Sequence, residues 1–78
     1  MTQMTGRDRP VKRSLTLQGH RTSVSLEEAF WTEFRRLAET EGKSVNGLAA
    51  EIDASRTPPG SLASAIRVHV LEALKSGR

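Results

Sequence analysis

The two histidines of this chain and one of its serines, Ser44, are the first residues to consider for chemistry. His20 and His69 are potential metal ligands, but they lie far apart, the chain has no cysteine, and no pair of carboxylates stands near either one. Ser44 would act as a nucleophile only beside a general base, and its place after Gly42 and before an apolar pattern is that of a helix cap. We therefore expect surface histidines, a capping serine and no metal site.

Sequence motifs of known catalytic sites are also missing from the chain. It contains no Gly-x-Ser-x-Gly, no His-Glu-x-x-His and no glycine-rich phosphate loop. A chain of 78 residues is also too short to be expected to enclose a substrate pocket. The sequence therefore predicts a protein that is not an enzyme and that uses no cofactor.

Charge is distributed unevenly along the chain, whose net charge is +3. Residues 1–25 carry five basic side chains and one acidic one, residues 26–54 are acidic, and residues 55–78 are basic again. A polyanion is therefore expected to meet the two ends of the chain and to be repelled by its middle. The N-terminal cations either attract phosphate nonspecifically or only solubilise the terminus, and the sequence leaves both interpretations open.

Length and composition favour one small domain that gains stability from a partner chain. Seventy-eight residues bury little surface, and without cysteine no disulfide can compensate. The first residues contain no apolar run of signal-peptide length, and no run of about 18 apolar residues could cross a bilayer. We therefore expect a soluble, cytoplasmic oligomer.

After a flexible basic arm over residues 1–11, the first ordered element is predicted to be a strand. From Lys12 to Leu26, apolar and polar residues alternate in two runs. Gly19 separates the runs and could form a tight turn, so a hairpin and one interrupted strand are both compatible with the pattern. Leu15 and Leu17 share one face of the first run, and Thr22, Val24 and Leu26 occupy alternate positions of the second.

Two helices joined by a very short turn are predicted next. Ser25-Leu26-Glu27-Glu28 has the spacing of a capping box, so the first helix should begin at Ser25. Gly42 should end it in a left-handed conformation, and Ser44 should cap the second helix. The apolar stripes are Phe30, Phe34, Leu37 and Ala38, flanked by Trp31, and then Val45, Leu48, Ala49 and Ile52. At helical spacing the aromatic residues are expected in a core or dimer interface rather than in a base-stacking platform.

A third helix is predicted after Thr57-Pro58-Pro59-Gly60, because consecutive prolines end the second one. Ser61 should cap the third helix. Its broad apolar face is wide enough to be buried on more than one side, and we expect it to pack across a dimer. That face consists of Leu62, Ala65, Ile66, Val70, Ala73 and Leu74.

The order of strand, short helix, Gly-Lys-Ser-Val-Asn and second helix resembles the ribbon-helix-helix superfamily, which includes the Arc and MetJ repressors. The segment Glu41-Gly42-Lys43-Ser44-Val45-Asn46 is similar to the turn between the two helices of Arc. Three further segments resemble one bacterial, largely uncharacterised ribbon-helix-helix subfamily, namely residues 12–17, residues 19–27 with Phe30-Trp31, and residues 64–68.

The resemblance implies a mainly α fold with one short β-strand in each chain. In the superfamily, one strand from each protomer pairs antiparallel within an intertwined homodimer, and the ribbon enters the major groove of DNA. Added to that minimal fold would be a C-terminal helix and a possible extra N-terminal strand. The expected organisation is a flexible arm over residues 1–11, a core over residues 12–56 and a helical extension over residues 57–78.

The resemblance also implies roles for individual residues. Alternation along the ribbon would turn Arg21, Ser23 and Ser25 toward the bases, and the Arg21 guanidinium can match the O6 and N7 acceptors of guanine. Ser25 could instead serve as a helix cap. Phosphate would be held at the start of the second helix by Lys43, Ser44, Val45 and Asn46. The dimer core would consist of Val24, Leu26, Phe30, Trp31, Phe34, Leu37, Leu48 and Ile52.

Two functions follow from these features. The first is a homodimeric DNA-binding transcription regulator, such as a repressor, which reads double-stranded DNA with its ribbon. The alternative is a dimeric protein-interaction module, antitoxin-like or a regulatory adaptor, that docks a protein partner through the third helix. The short side chains of Ser23 and Ser25 favour this alternative, because hydroxyls discriminate poorly among bases.

Overall fold

The computed structural model describes residues 9–57 and 60–77 of the chain. The first eight residues of the predicted arm, the two prolines expected to end the second helix, and Arg78 lie outside the described residues. None of the helices in the described ranges is both long enough and apolar enough to cross a membrane. The elements in chain order are β1 (Pro10–Leu17), β2 (His20–Glu27), α1 (Glu28–Thr40), α2 (Val45–Ser55) and α3 (Leu62–Lys75).

β1 and β2 form an antiparallel hairpin that is closed by the two-residue loop Gln18-Gly19. Both loop residues have positive φ, 52° and 86°, as in a type I′ turn, whose twist matches that of paired strands. Gly19 adopts this conformation without steric cost, whereas Gln18 has a side chain that disfavours it. Of the two arrangements compatible with the sequence, the structure therefore contains the hairpin.

The described part of the chain has two strands of eight residues, β1 and β2, where the resemblance implies one short strand and a possible extra strand before it. The register pairs Leu17 with His20 next to the loop and Pro10 with Glu27 at the far end. One edge of β2 thus finds its backbone hydrogen-bond partners within its own chain.

α1 begins three residues after the position predicted from the capping box. Its N-cap is Glu27, which makes no side-chain capping bond, and Ser25 lies within β2. The predicted capping box is wrong because the hairpin register runs through Ser25 to Glu27. The carboxylate of Glu28, which is the glutamate of the predicted box, is paired with Arg13 and Arg35, and the carboxylate of Glu27 is bonded by Arg67 of α3.

The turn between α1 and α2 has the predicted caps. Gly42 has a φ of 71°, and the N–H of Lys43 donates to the carbonyl of Ala38 at 2.9 Å, which closes a Schellman-type end of α1. The hydroxyl of Ser44 accepts a hydrogen bond from the N–H of Gly47 at 2.9 Å at the start of α2. Both predictions are confirmed, because such caps depend on local backbone geometry alone.

The three helices pack against one face of the hairpin and enclose one core. Trp31 was expected to flank the stripe of α1, yet it is 1% exposed and packs beside Phe34, with ring centroids 6.3 Å apart. Phe30, expected on the stripe, is only partly buried. The buried residues are Leu15, Leu17, Val24, Leu26, Trp31, Phe34, Leu37, Ala38, Leu48, Ala49, Ile52, Ile66, Val70 and Ala73.

Seven of the eight residues assigned to a dimer core are therefore buried within a single chain, and Phe30 is partly buried there. α3, capped by Ser61 as predicted, contributes Ile66, Val70 and Ala73 to this core. α3 also bears three exposed apolar residues, which we call the α3 stripe. These are Val68, Leu71 and Leu74, with exposures of 54%, 53% and 46%.

Candidate nucleic-acid interface

The hairpin has one polar, exposed face, which we call the ribbon face. Side chains alternate between the two sides of a strand, and residues paired across the hairpin share a side. Leu15, Leu17, Val24 and Leu26 are buried against the helices, so the intervening residues face outward. The ribbon face consists of three facing pairs, Thr16 with Arg21, Ser14 with Ser23, and Lys12 with Ser25, all of them exposed.

Two cations at opposite corners give the ribbon face a positive charge. Neither Lys12 nor Arg21 makes an ion pair or a side-chain hydrogen bond within residues 9–57 and 60–77. The remaining four side chains are hydroxyls, which both donate and accept hydrogen bonds. An exposed surface of cations and hydroxyls suits a polyanion that also presents hydrogen-bonding groups.

Arg21, Ser23 and Ser25 lie together on one strand of this face, as their predicted spacing requires. The alternative role of Ser25 as a helix cap does not occur, because α1 begins later and has no side-chain cap. The carbonyl of Ser25 accepts a long hydrogen bond of 3.5 Å from Arg67. The Ser25 hydroxyl takes no part in that contact, and the residue is exposed. Whether these three residues contact bases stays a prediction.

The β1 half of the ribbon face, Lys12, Ser14 and Thr16, was missed by the sequence reasoning. The alternation of Leu15 and Leu17 was a signal that could have found it, because it implies that Ser14 and Thr16 face away from the core. The pairing partner of that strand was not fixed by the sequence. Without a register, no argument placed these residues beside Arg21, Ser23 and Ser25.

The start of α2 lies directly beside the ribbon face. The side-chain oxygen of Asn46 accepts a hydrogen bond from the backbone N–H of Thr16, with an N···O distance of 3.2 Å. The first backbone N–H groups of a helix have no intrahelical acceptor, and here those of Val45 and Asn46 are in this position. The structure thus brings the two predicted parts of the site together, although phosphate binding there stays a prediction.

Lys43, also predicted to contact phosphate, is already held by carboxylates. Its ammonium group lies 2.7 Å from a carboxylate oxygen of Glu51 and 3.2 Å from one of Glu41. The hydrogen bonds to Glu51 and Glu41 raise the pKa of Lys43 above its ordinary value of 10.5. A phosphate that approached Lys43 would also meet these two negative charges, so Ser44, Val45 and Asn46 are better placed to receive it.

Arg67 of α3 contacts the last residue of β2, Glu27. The Arg67 guanidinium donates two hydrogen bonds to the Glu27 carboxylate, at 2.9 and 3.2 Å, and lies over the ring of Phe30 at 5.9 Å. The side-chain hydrogen bond from Arg67 lowers the pKa of Glu27 below its ordinary value of 4.5. This contact also neutralises the carboxylate nearest to the ribbon face.

The Arg67–Glu27 contact predicts a pH dependence of folding stability. Because the pKa of Glu27 is lower in the folded chain, its contribution is present above pH 4.5 and is lost as the pH falls through the folded pKa. We expect the urea midpoint to fall more steeply with acidification in the wild type than in Arg67→Ala. An Arg56→Ala variant, which removes the exposed pair with Asp53, serves as control and should keep the wild-type profile. If the urea midpoints of the wild type and Arg67→Ala fall in parallel as the pH is lowered, the Arg67–Glu27 contact is not the source of the pH dependence.

The two histidines lie on different elements, β2 and α3. His20 is exposed at the tip of the hairpin, and His69 is partly buried on α3, where its Nε2 has no hydrogen-bond partner among the described residues. In the described part of the chain, no three histidine or acidic side chains cluster in a way that could hold a metal ion.

Comparison with known proteins gives two matches. The family described as "Ribbon-helix-helix domain" matches residues 10–74, which include all five elements except the last residue of α3. Among solved structures, the chain is similar to an uncharacterized protein from Bordetella pertussis Tohama I, with a TM-score of 0.69 and 26% sequence identity. The similarity covers 91% of this chain and 62% of that one, so this chain spans under two thirds of its length. No curated protein matches.

Proposed function

Since the chain belongs to the ribbon-helix-helix domain family, whose members commonly bind DNA, we propose that it is a sequence-specific double-stranded DNA-binding protein. Its action would be that of a transcription regulator, such as a repressor, in the cytoplasm of a bacterium. The function is binding without catalysis. The observation that carries the proposal is the ribbon face, where two cations have no partner among the described residues and the other four side chains are hydroxyls.

The size of the ribbon face suits the major groove. The groove is about 12 Å wide and admits a two-stranded ribbon, whose strands lie about 4.8 Å apart. Arg21 would form paired hydrogen bonds with a guanine, and the hydroxyls of Ser23 and Ser25 would contact less demanding positions. Lys12 is at the opposite corner of the face, where it adds positive charge.

Phosphate contacts would fix the ribbon in the groove. The hydroxyl of Ser44 caps α2 with its lone pair and can still donate its hydrogen to a phosphate oxygen. The free N–H groups of Val45 and Asn46 point out of the positive end of the helix. Because Asn46 is hydrogen-bonded to β1, an anion held here would lie next to the ribbon.

The protein is proposed to act as a homodimer, as family membership implies. In the superfamily one strand from each protomer pairs antiparallel in the ribbon, and β2, which carries Arg21, Ser23 and Ser25, would be that strand here. Since the residues assigned to a dimer core are largely buried within one chain, the interface would use other surfaces. Sedimentation of the free protein and of its DNA complex would count the chains in each.

The experiment that tests the proposal is selection from a pool of random duplexes at about 50 and about 200 mM salt. We expect enrichment of a short common sequence, together with a steep loss of affinity as salt increases, because phosphate contacts release counterions. A single-stranded pool of the same composition is the control and should not yield an enriched sequence. Absence of duplex binding at both salt concentrations would reject the proposal.

The alternative of a protein-interaction module, antitoxin-like or adaptor, is favoured by a different observation, namely the α3 stripe. Val68, Leu71 and Leu74 are each about half exposed, and exposed apolar surface can mark a protein interface. Such a module would bind its partner independently of Arg21. The protein-interaction module would be favoured if the wild type selects no duplex and Arg21→Ala still binds the protein partner.

A further inference from the structure

We propose that the α3 stripe packs against a second copy of this chain, as an apolar contact of the homodimer beside the paired β2 strands. The inference rests on the homodimer of the proposed function and deepens it, because it names a surface that holds the two chains together in addition to the ribbon. The residues that contact DNA are a separate matter.

The first step concerns the outer edge of β2. In a hairpin closed by two residues, the pair next to the loop is hydrogen-bonded, here Leu17 with His20, and pairs of this kind alternate along the strands with pairs that are not hydrogen-bonded. The backbone groups of Arg21, Ser23 and Ser25 therefore point away from β1. This outer edge is the one that a second β2 strand can join, as pairing in the superfamily ribbon requires.

α3 is on the side of the hairpin where this outer edge lies. It packs against β2, whereas α2 packs against β1. The Arg67 guanidinium donates to the outward-pointing carbonyl of Ser25 at 3.5 Å and to the carboxylate of Glu27 at 2.9 and 3.2 Å. At the opposite edge, the N–H of Thr16 donates to Asn46 of α2. α3 thus stands where the second chain joins, and α2 faces away from it.

The α3 stripe continues from this contact along the helix. Leu71 and Leu74 follow Arg67 by four and seven residues, so these three side chains share one face of α3. Val68 adjoins Leu71, which it precedes by three residues. The face of α3 that starts at the outer edge of β2 is therefore apolar over its next two turns.

Pairing of two β2 edges buries little apolar surface by itself. The residues whose backbone groups form the edge are Arg21, Ser23 and Ser25, which are polar and exposed, and Val24 and Leu26 are already buried within their own chain. A two-stranded ribbon alone is at best marginally stable in water, and specific interfaces bury about 1,200 to 2,000 Å². A stable dimer therefore needs an apolar contact beside its ribbon.

The α3 stripe is the apolar surface available for that contact. Within residues 9–57 and 60–77, the large apolar residues that are exposed are Val68, Leu71 and Leu74. Paired strands lie about 4.8 Å apart and packed helices about 8 to 10 Å apart, so helices carried beside two joined edges come within packing distance. A twofold interface uses the same patch on both chains, and an apolar patch is complementary to itself.

Dimerisation of Leu71→Glu tests the proposal, with Ala54→Glu as the matched control. Ala54 is exposed on α2, the helix that packs against β1, so both variants add one negative charge to an exposed helical site. After circular dichroism has shown that both fold, sedimentation measures the dimer dissociation constant. We expect Leu71→Glu to raise it roughly 30-fold or more, because each dimer loses two apolar contacts and brings two like charges together. Ala54→Glu should match the wild type.

A cross-link tests the same contact without adding a charge. The natural chain has no cysteine, and Leu71 is the middle residue of the α3 stripe. We expect a short bismaleimide to join Leu71→Cys into a covalent dimer, with and without duplex, and to leave Ala54→Cys as a monomer on a denaturing gel. A monomer from Leu71→Cys, or equal amounts of dimer from both variants, would overturn the inference.

The outcomes separate this inference from the proposed function. If Leu71→Glu dimerises like Ala54→Glu and still selects the enriched duplex, the protein binds DNA and the inference is wrong; a different protein docked on the α3 stripe would give this result. If the wild type is a monomer at every concentration, with and without duplex, the homodimer and the inference both fail. If the wild type selects no duplex but Leu71→Glu weakens its dimer, the proposed function fails and the inference stands.

Discussion

Replacing Arg21 by alanine is expected to abolish most of the preference of this protein for its enriched duplex. A bidentate contact between arginine and guanine contributes roughly 1 to 3 kcal/mol of discrimination, which corresponds to about 5- to 150-fold per chain. Arg21 is exposed on the ribbon face and carries no ion pair in the described part of the chain, so its removal leaves no buried charge behind. Folding stability should therefore change little.

Arg21→Lys separates the charge of this residue from its shape. Lysine keeps the attraction to phosphate but lacks the planar fork that matches the two guanine acceptors. We expect Arg21→Lys to retain affinity for random duplexes and to lose preference for the enriched one, whereas Arg21→Ala loses some of both. Competition of labelled enriched duplex against random duplex measures the ratio. If Arg21→Lys and Arg21→Ala both keep the full preference for the enriched duplex over random duplex, another residue reads the sequence.

Replacing Trp31 by alanine is expected to unfold much of the protein at ordinary temperature. Trp31 is 1% exposed, its indole N–H donates to the carbonyl of Val11 at 2.8 Å, and the guanidinium of Arg13 lies 5.7 Å from its ring centroid. It therefore links α1 to the start of β1. Truncation of a buried tryptophan typically costs about 3 to 5 kcal/mol, a large part of the roughly 5 kcal/mol expected for so small a domain.

Trp31→Phe is the matched variant, because it keeps a buried ring and removes the hydrogen bond to Val11. We expect it to fold with a loss of about 1 to 2 kcal/mol, from the lost bond and the smaller ring. Urea unfolding must be followed by circular dichroism, since Trp31 is the only tryptophan and its fluorescence disappears with it. If Trp31→Ala has the same free energy of unfolding as Trp31→Phe, the Trp31 ring is not central to the core.

Much of the helical part of the fold could be predicted from the sequence, because its signals are local. Gly42, Ser44 and Ser61 end or begin helices by bonds within a few residues of themselves. The beginning of α1 could not be predicted in the same way. Ser25 has the right spacing for a cap, but strand pairing with β1 and the contact of Glu27 with Arg67 override that local preference.

The hairpin is where sequence reasoning reached its limit. Its loop is Gln18-Gly19, and glutamine is not among the residues that usually mark the first position of such a turn. The pattern therefore indicated strands without indicating their partner. As a consequence, Arg21, Ser23 and Ser25 could be named as one row from the sequence, but Lys12 and Thr16 could not be placed beside them.

The phosphate site shows a similar division between local and distant information. Ser44 and the N–H groups that follow it can be recognised from the start of a helix. The engagement of Lys43 by Glu51 depends on how α2 places a side chain eight residues away. Sequence reasoning placed Lys43 at the phosphate site, whereas the structure pairs it with two carboxylates.

The most direct test of the central claim is an NMR titration of the labelled protein with a duplex from the enriched pool. If the ribbon face binds DNA, the amide signals of residues 12–16, 21–25 and 44–46 should shift, and those of the α3 stripe should not. Shifts confined to Val68, Leu71 and Leu74, or no shifts at a concentration where the duplex is bound, would contradict DNA binding by the ribbon face.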